Sequence, residues 1–135
     1  SNDIASVIGL NSLKYIDADN ARRKEIADYY KNNIKGSGFY IPEYKDNRNS
    51  SYHFFPILFD DRFKVYSKLK EQQIYPGMHY KRNDAYSLFK EYAKYSIGEL
   101  DGVKNYASKE LTLPIHLHLT DDDLKNIVDT INSCL

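Results

Sequence analysis

Apolar positions open the chain at helical spacing. Ile4, Val7, Ile8, Leu10 and Leu13 fall close to a 3.6-residue period. Asn2 or Ser1 can cap their helix, and Asp3 supplies an acid to the first turn, where the helix dipole favours one. Gly9 sits inside this stretch at a cost of about 1 kcal/mol relative to alanine, which predicts a close helix contact there. Asp17-Ala18-Asp19-Asn20 reads as a break or soft kink. Ile26, Tyr30 and Ile34 then continue at i, i+4, i+8 through a second stretch from Asp19 to Lys35, and Gly36 is the natural residue just past its end. Residues 1–35 thus read as one long, kinked helix that is apolar from its first turn. A free N-terminus is usually polar and frayed, so the pattern predicts a chain cut from something larger.

The period then shortens. Phe39-Tyr40-Ile41-Pro42 is a short extended piece, and Glu43 to Asn49 is charged loop. Ser51 to Phe59 alternates Tyr52, Phe54, Pro56, Leu58 with His53, Phe55, Ile57, Phe59, which predicts a strand covered on both faces. Pro56 cannot donate to a ladder and points to an edge position or a bulge. Asp60-Asp61 caps a helix from Arg62 to Gln73 carrying Phe63, Tyr66 and Leu69 on one face. Ile74 to Tyr80 is a second short strand. Tyr86, Phe89 and Tyr92 suggest a short helix, and Leu100 to Glu110 another, with Val103 and Tyr106 inward. Leu111 to Ile115 is a third extended segment. Thr120 followed by three aspartates and then Leu124, Ile127, Val128 and Ile131 is the clearest helix start in the chain. Strands interleaved with helices predict an α/β fold of the α+β type: a small, mostly antiparallel sheet packed with helices.

Composition narrows the function classes. A length of 135 residues favours one domain, and Lys plus Arg equals Asp plus Glu at 19 each. A chain without net field lacks the basic footprint of an electrostatic nucleic-acid binder, so no nucleic-acid partner is expected. The 13 tyrosines are dispersed and not paired with a basic stripe, which fits amphipathic packing better than a base-stacking surface. Cys134 is the single cysteine and cannot form an internal disulfide, so a reducing, cytoplasmic setting is the simpler expectation. No apolar run approaches the roughly 20 residues of a membrane span, and no membrane partner is expected.

The stretch Tyr75-Pro76-Gly77-Met78-His79-Tyr80-Lys81-Arg82-Asn83 stands apart from its surroundings. A Pro-Gly turn signal precedes a histidine, a tyrosine, two cations and an amide, the composition of a binding loop on a rigid scaffold. Imidazole and phenol can hydrogen-bond and stack, and Lys81 and Arg82 carry positive charge. His53 lies among aromatics, the setting of a satisfied core histidine. His116 and His118, at i and i+2, lack further ligands of a metal pattern, and no metal is expected. Asp121-Asp122-Asp123 is a helix-start feature, and Cys134 has no evident base partner. Lys14, Lys24, Lys68 and Lys70 fall on helices as solvated faces, and no glycine-rich phosphate loop is present.

Four segments, in order, resemble one family. Asn2-Asp3-Ile4-Ala5-Ser6-Val7-Ile8-Gly9-Leu10 is similar to its (S/N)-(E/D)-I-x-A-A-I-G-L stretch, and Ser51-Tyr52-His53-Phe54-Phe55 to its S-x-H-x-(F/Y) strand. Gly77-Met78-His79-Tyr80 is similar to its G-(I/V)-H-Y loop. Leu113-Pro114-Ile115-His116 with Leu119-Thr120 is similar to its L-P-(I/M)-H-P-x-L-(T/S) ending. The family is the DegT/DnrJ/EryC1/StrS group of sugar aminotransferases, pyridoxal-phosphate enzymes of fold type I. The resemblance covers essentially the whole chain but only the C-terminal, small domain of the family. It implies one domain over 1–135, with 1–35 an interdomain-type helix and 36–135 the small domain. The large domain with the cofactor lysine would precede residue 1.

On this reading the chain alone binds no cofactor and is inactive, whereas the complete enzyme carries pyridoxal phosphate, aminates a nucleotide-linked keto sugar with glutamate as the implied nitrogen donor, and is a homodimer. His79, Tyr80, Lys81, Arg82, Asn83 and His53 are then the expected substrate-side residues, and no catalytic residue is assigned. The family loop usually continues H-Y-P-x-P-x-H, whereas this chain has Lys81-Arg82-Asn83-Asp84, and Leu117 stands where a proline is usual. The alternative is a stand-alone, non-catalytic binding module that retains the small-domain fold.

Overall fold

The computed structural model describes residues 2–45, 47–89, 91–92, 98 and 100–135. Among these residues the helices begin where the sequence places its caps. The Asn2 side chain accepts from the Ala5 N–H at 2.8 Å and opens α1 (Asp3–Leu13); the alternative cap Ser1 lies outside the described residues. The Asp61 carboxylate accepts from the Lys64 N–H at 3.0 Å and opens α3 (Arg62–Glu71). Thr120 and Asp123 form a reciprocal capping box at the start of α5 (Asp121–Asn132), each side chain accepting from the other's backbone N–H. Those bonds from Thr120 also hold the Asp123 carboxyl below its usual range.

The chain turns at Lys14 and Tyr15 before α2 (Ile16–Asn33), three residues earlier than the acidic break in the sequence suggests. Asp17 and Asp19 lie in the first turn of α2, where the positive end of the dipole accommodates them. The acids start this helix, and do not interrupt it.

Three strands form one antiparallel sheet in the order β1 (Phe39–Tyr40), β2 (Phe55–Phe59), β3 (Glu110–Leu113). β2 is shorter than the predicted 51–59 because Tyr52 adopts a left-handed backbone, φ 47°, and breaks the alternation before it. Pro56 lies in the middle strand, yet β1 reaches only Leu58 and Phe59, so at Pro56 the strand is paired with β3 alone. The segment predicted as a strand over 74–80 contributes one bridge, Gly77 to Thr112, with both N–H···O bonds at 2.9 Å. The expected helix near Tyr86 is instead a pair of 3-10 turns, Asn83–Ala85 and Ser87–Phe89; Lys90 lies outside the described residues. α4 (Asp101–Lys109) stops one residue before the predicted end, and Glu110 becomes the first residue of β3. Val103, expected inward, is exposed, while Tyr106 is half-buried.

The core lies on one side of the sheet. Phe55, Ile57 and Phe59 of β2 and Leu111 and Leu113 of β3 meet Ile26, Ala27 and Tyr30 of α2, Val65 and Leu69 of α3, and Leu124, Ile127, Val128 and Ile131 of α5. Helical and strand periods both project one apolar face, so these faces close on each other. The Asn132 side chain fastens the end of α2 to α5: it donates to the Asn33 carbonyl at 3.0 Å and accepts from the Lys35 N–H at 2.9 Å. Gly36, just beyond, has φ 117° and lies against Leu135; a Cβ there would come within 2.9 Å of the Leu135 Cβ.

α1 takes no part in this core. Ile4, Val7, Ile8, Leu10 and Leu13 are all exposed, and nothing lies within 4 Å of a Cβ built on Gly9, so the close helix contact expected there is not made within the described residues. No helix among the described residues is long and apolar enough to cross a membrane.

Tyr30 ties α2 to the strand that follows α4. It is fully buried, and its hydroxyl donates to the Pro114 carbonyl at 2.7 Å. Burial, with a smaller contribution from Asp123, pushes the phenol well above its usual range. Tyr30→Phe leaves that carbonyl without its donor and is expected to lower stability by about 1–2 kcal/mol at neutral pH in urea unfolding. The raised value means that Tyr30 stabilises the fold fully below the unfolded-state value of about 10, and that this contribution is lost as pH rises above it. The wild type should therefore converge on Tyr30→Phe between neutrality and about pH 11. A stability difference that stays constant over that range contradicts the assignment.

Candidate functional site

β3 is buried along its whole length, but its two faces differ. Leu111 and Leu113 face the core, and strand alternation sends Glu110 and Thr112 to the opposite face, beside Leu58 and Pro56 of β2. Glu110 is 2% and Thr112 6% exposed. Buried polar groups of this kind require partners, and the loop that follows α3 supplies them. Gly77 bridges Thr112 on the free edge of β3, and the chain then folds back across the polar face. The His79 N–H donates to one Glu110 carboxylate oxygen at 2.8 Å, and the Thr112 hydroxyl donates to the other at 2.6 Å. His79 Nδ1 lies 2.8 Å from the same Thr112 hydroxyl oxygen. Glu110, Thr112 and His79 are one connected polar unit.

Glycine is required at 77 for space. A Cβ there would lie 2.5 Å from His79 Cε1 and 3.0 Å from Nδ1, closer than packed atoms approach. The imidazole is thus held between the Gly77 backbone and Thr112. Its ring also faces Phe54, centroids 6.0 Å apart, and meets Tyr80 edge-on at 4.7 Å. Phe54, His79 and Tyr80 make a small aromatic surface, and Tyr80 is 76% exposed. Such a surface can pack on the C–H face of a sugar while the ring nitrogen and phenol hydrogen-bond hydroxyls.

The charged part of the loop is already partly engaged. The Arg82 guanidinium forks onto the Asp84 carboxylate through Nε and Nη2, the Nε bond being 2.9 Å. That pair raises the Arg82 value and holds the Asp84 carboxyl below its usual range. Lys81 lies over the Tyr86 ring with its ammonium 4.5 Å from the centroid. Asn83 is exposed and opens the first 3-10 turn, its carbonyl accepting from the Tyr86 N–H. An incoming anion must compete with Asp84 for Arg82, whereas Lys81 is accessible.

Of the residues singled out by the sequence, the structure brings His79 and Tyr80 together on the sheet, with Lys81, Arg82 and Asn83 following in the same loop. His53 does not join them directly. It is exposed, not a core histidine, and touches the group only through an edge contact with Phe54 at 6.2 Å. The sequence reading missed Glu110, Thr112, Phe54 and Asp84. The signal for the first two was available in Glu110-Leu111-Thr112-Leu113, where charged and hydroxyl side chains alternate with leucines. Assigning Glu110 to a helix end concealed it. Among the described residues no three His, Cys, Asp or Glu side chains converge as a metal site, and His116 and His118 are exposed.

An open cleft of about 760 Å³ lies elsewhere, between α2 and the loop before β2, lined by Lys24, Lys31, Tyr44, Lys45, Arg48 and Tyr52 among others. Two of its cations are already occupied: Lys24 pairs with Asp28, and Lys31 donates to the Tyr52 hydroxyl at 2.8 Å.

Comparison with known proteins agrees with this architecture. Residues 2–132 match the DegT/DnrJ/EryC1/StrS aminotransferase family. The chain is 30% identical over 141 aligned residues to a UDP-4-amino-4,6-dideoxy-N-acetyl-beta-L-altrosamine transaminase of Campylobacter jejuni, covering 98% of this chain and 36% of that protein. Its fold superposes on the sugar aminotransferase CalS13 of Micromonospora echinospora with a TM-score of 0.87 and 28% identity, covering 98% of this chain and 35% of the other. The aminotransferase TlmJ of Streptoalloteichus hindustanus gives a TM-score of 0.86 at 27% identity, covering 99% of this chain and 36% of the other. The chain therefore spans about a third of the length of the relatives it matches. By sequence over nearly all its residues and by the fold they adopt, the chain belongs to the DegT/DnrJ/EryC1/StrS aminotransferase family.

Proposed function

We propose that this chain is the small domain of an aminotransferase that acts on a nucleotide-linked keto sugar, and that the loop from Gly77 to Asp84 forms the substrate-side wall of its pocket. The observation that carries this reading is the aromatic and polar surface of Phe54, His79 and Tyr80, anchored on β3 and followed at once by Lys81 and Arg82. The rings suit a sugar face, and the cations suit the diphosphate that joins sugar to nucleoside. Asn83 adds an exposed amide, and His53 extends the aromatic edge beyond Phe54. Relatives named as transaminases of UDP- and dTDP-linked amino sugars support the substrate class.

Pyridoxal phosphate supplies the electron sink of transamination and needs an enclosed lysine, an acid for the pyridine nitrogen and donors for its phosphate. These residues do not fit it. Among the described residues every lysine is exposed except Lys109, which is half-buried against Asp60 at 2.7 Å. On this proposal the cofactor is held by a separate large domain. Within the pocket, His79 and Tyr80 orient the sugar, and Lys81 and Arg82 hold the diphosphate once Arg82 leaves Asp84. The exposed apolar face of α1 is the surface on which such a domain, or a second copy in a homodimer, would pack, because contiguous apolar patches of several hundred Å² are rarely left in water.

In the complete enzyme, His79→Ala and Arg82→Ala should each raise the KM for the nucleotide sugar roughly tenfold, the size of one lost hydrogen bond or charge contact, with cofactor absorbance unchanged. If KM and kcat are both untouched in both variants, the loop is only a turn. The 135-residue chain incubated with pyridoxal phosphate and borohydride should yield no specifically labelled lysine; one dominant reduced lysine would place the cofactor on this chain. In light scattering at high concentration the same chain should run larger than 15.8 kDa through the α1 face, and a clean monomer would contradict that role for α1.

A further inference from the structure

We infer that Glu110 and Thr112 are positioning residues that lock the His79 imidazole in its Nδ1–H tautomer, so that Nε2 meets the substrate as a hydrogen-bond acceptor. The inference rests on the reading of His79 as a substrate-side residue, and it specifies which substrate group His79 selects.

The proton count fixes the tautomer. As a carboxylate, Glu110 has no proton to give, and both its oxygens accept: one from the His79 N–H at 2.8 Å, the other from the Thr112 hydroxyl at 2.6 Å. A threonine hydroxyl has one proton. Thr112 gives it to Glu110, so toward His79 its oxygen can only accept. The 2.8 Å contact between that oxygen and Nδ1 therefore requires a proton on Nδ1. In a neutral imidazole the lone pair is then on Nε2. Among the described residues Nε2 has no hydrogen-bond partner, and it is not among the buried atoms left unpaired, so it is open to a ligand.

The arrangement is rigid as well as directed. Glu110 holds the backbone of His79 and, through Thr112, its ring, so both ends of the residue are fixed by one buried carboxylate. Gly77 supplies the clearance in which the ring sits. Second-layer hydrogen bonds of this kind set which nitrogen of a histidine faces a ligand. The chemical consequence is a choice of partner. An accepting Nε2 pairs with a hydroxyl or an N–H of the sugar and cannot pair with its keto oxygen, which is itself only an acceptor. His79 thus selects a donor group of the sugar and leaves the ketone to other groups.

The test is the 15N–1H correlation spectrum of the imidazoles in the 135-residue chain, which distinguishes the tautomers directly. The wild type should show His79 predominantly as Nδ1–H. Thr112→Val, which keeps the shape and loses the hydroxyl, should shift it to the Nε2–H form that free imidazole favours, and Thr112→Ser should retain the wild-type signal. Glu110→Gln should reverse the relay: its amide donates to Thr112, Thr112 donates to Nδ1, and the proton moves to Nε2. The Thr112→Ser spectrum and the wild-type spectrum decide the matter even if the other two variants do not fold. A wild-type His79 in the Nε2–H form, or a tautomer unmoved by Thr112→Val, overturns the inference. If the tautomer is as stated but His79→Ala leaves the KM of the complete enzyme unchanged, the positioning stands and the substrate role of His79 fails.

Discussion

Glu110 is a carboxylate removed from water in the middle of a small protein, and the second face of the sheet is arranged around it. An unpartnered charge in that position would cost several kcal/mol, so both of its oxygens must find donors. One donor is a threonine two residues along the same strand, and the other is the backbone of His79. Past the half-buried Ile74 and the buried Pro76, the loop after α3 is therefore held down by hydrogen bonding. This explains how a segment with few buried side chains, Pro76 aside, keeps a defined course across the sheet.

The other face of the sheet is covered by helices, with Ile74 packed against the same cluster. α2, α3 and α5 close over Phe55, Ile57, Phe59, Leu111 and Leu113, and together they make the one apolar cluster of the described residues. The polar clasps at its rim, Asn132 against the end of α2, Arg22 donating to the Leu119 carbonyl at 2.7 Å and Tyr30 to that of Pro114, fix the helices relative to the strands. The apolar core lies on one side of the sheet and the hydrogen-bonded Glu110–Thr112–His79 unit on the other. Substitutions on the Glu110 face can alter the loop without emptying the core.

Membership of a sugar aminotransferase family gives these two faces their meaning, and the fraction of the relatives covered sets how far that meaning extends. A chain matching about a third of its relatives' length presents only part of their architecture, and among the described residues every lysine but Lys109 is exposed. In the loop itself, the charged run Lys81-Arg82-Asn83-Asp84 keeps its arginine on the Asp84 carboxylate.

Helix content was legible in the sequence wherever a cap preceded a periodic run. Asn2, Asp61 and Thr120 act within a few residues of themselves, and local hydrogen bonds do not wait on the rest of the fold. The β2 alternation and the break in pattern at Pro76-Gly77 were legible for the same reason: period and turn chemistry are local. What the sequence could not determine was pairing across distance. The 74–80 strand shrank to one bridge because only Thr112 was available to it, and His53 left the core because the strand began after Tyr52 turned. Glu110 moved from a helix end to a buried strand and became the anchor of the loop, a role set by groups 31 residues away in sequence. The sequence by itself determined the capped helices, the apolar face of α5 and the family, although Phe63, expected on the α3 face with Leu69, is exposed. Tertiary structure alone decided which polar groups would be buried together, because the energy of a buried hydrogen bond depends on a partner that sequence spacing does not specify.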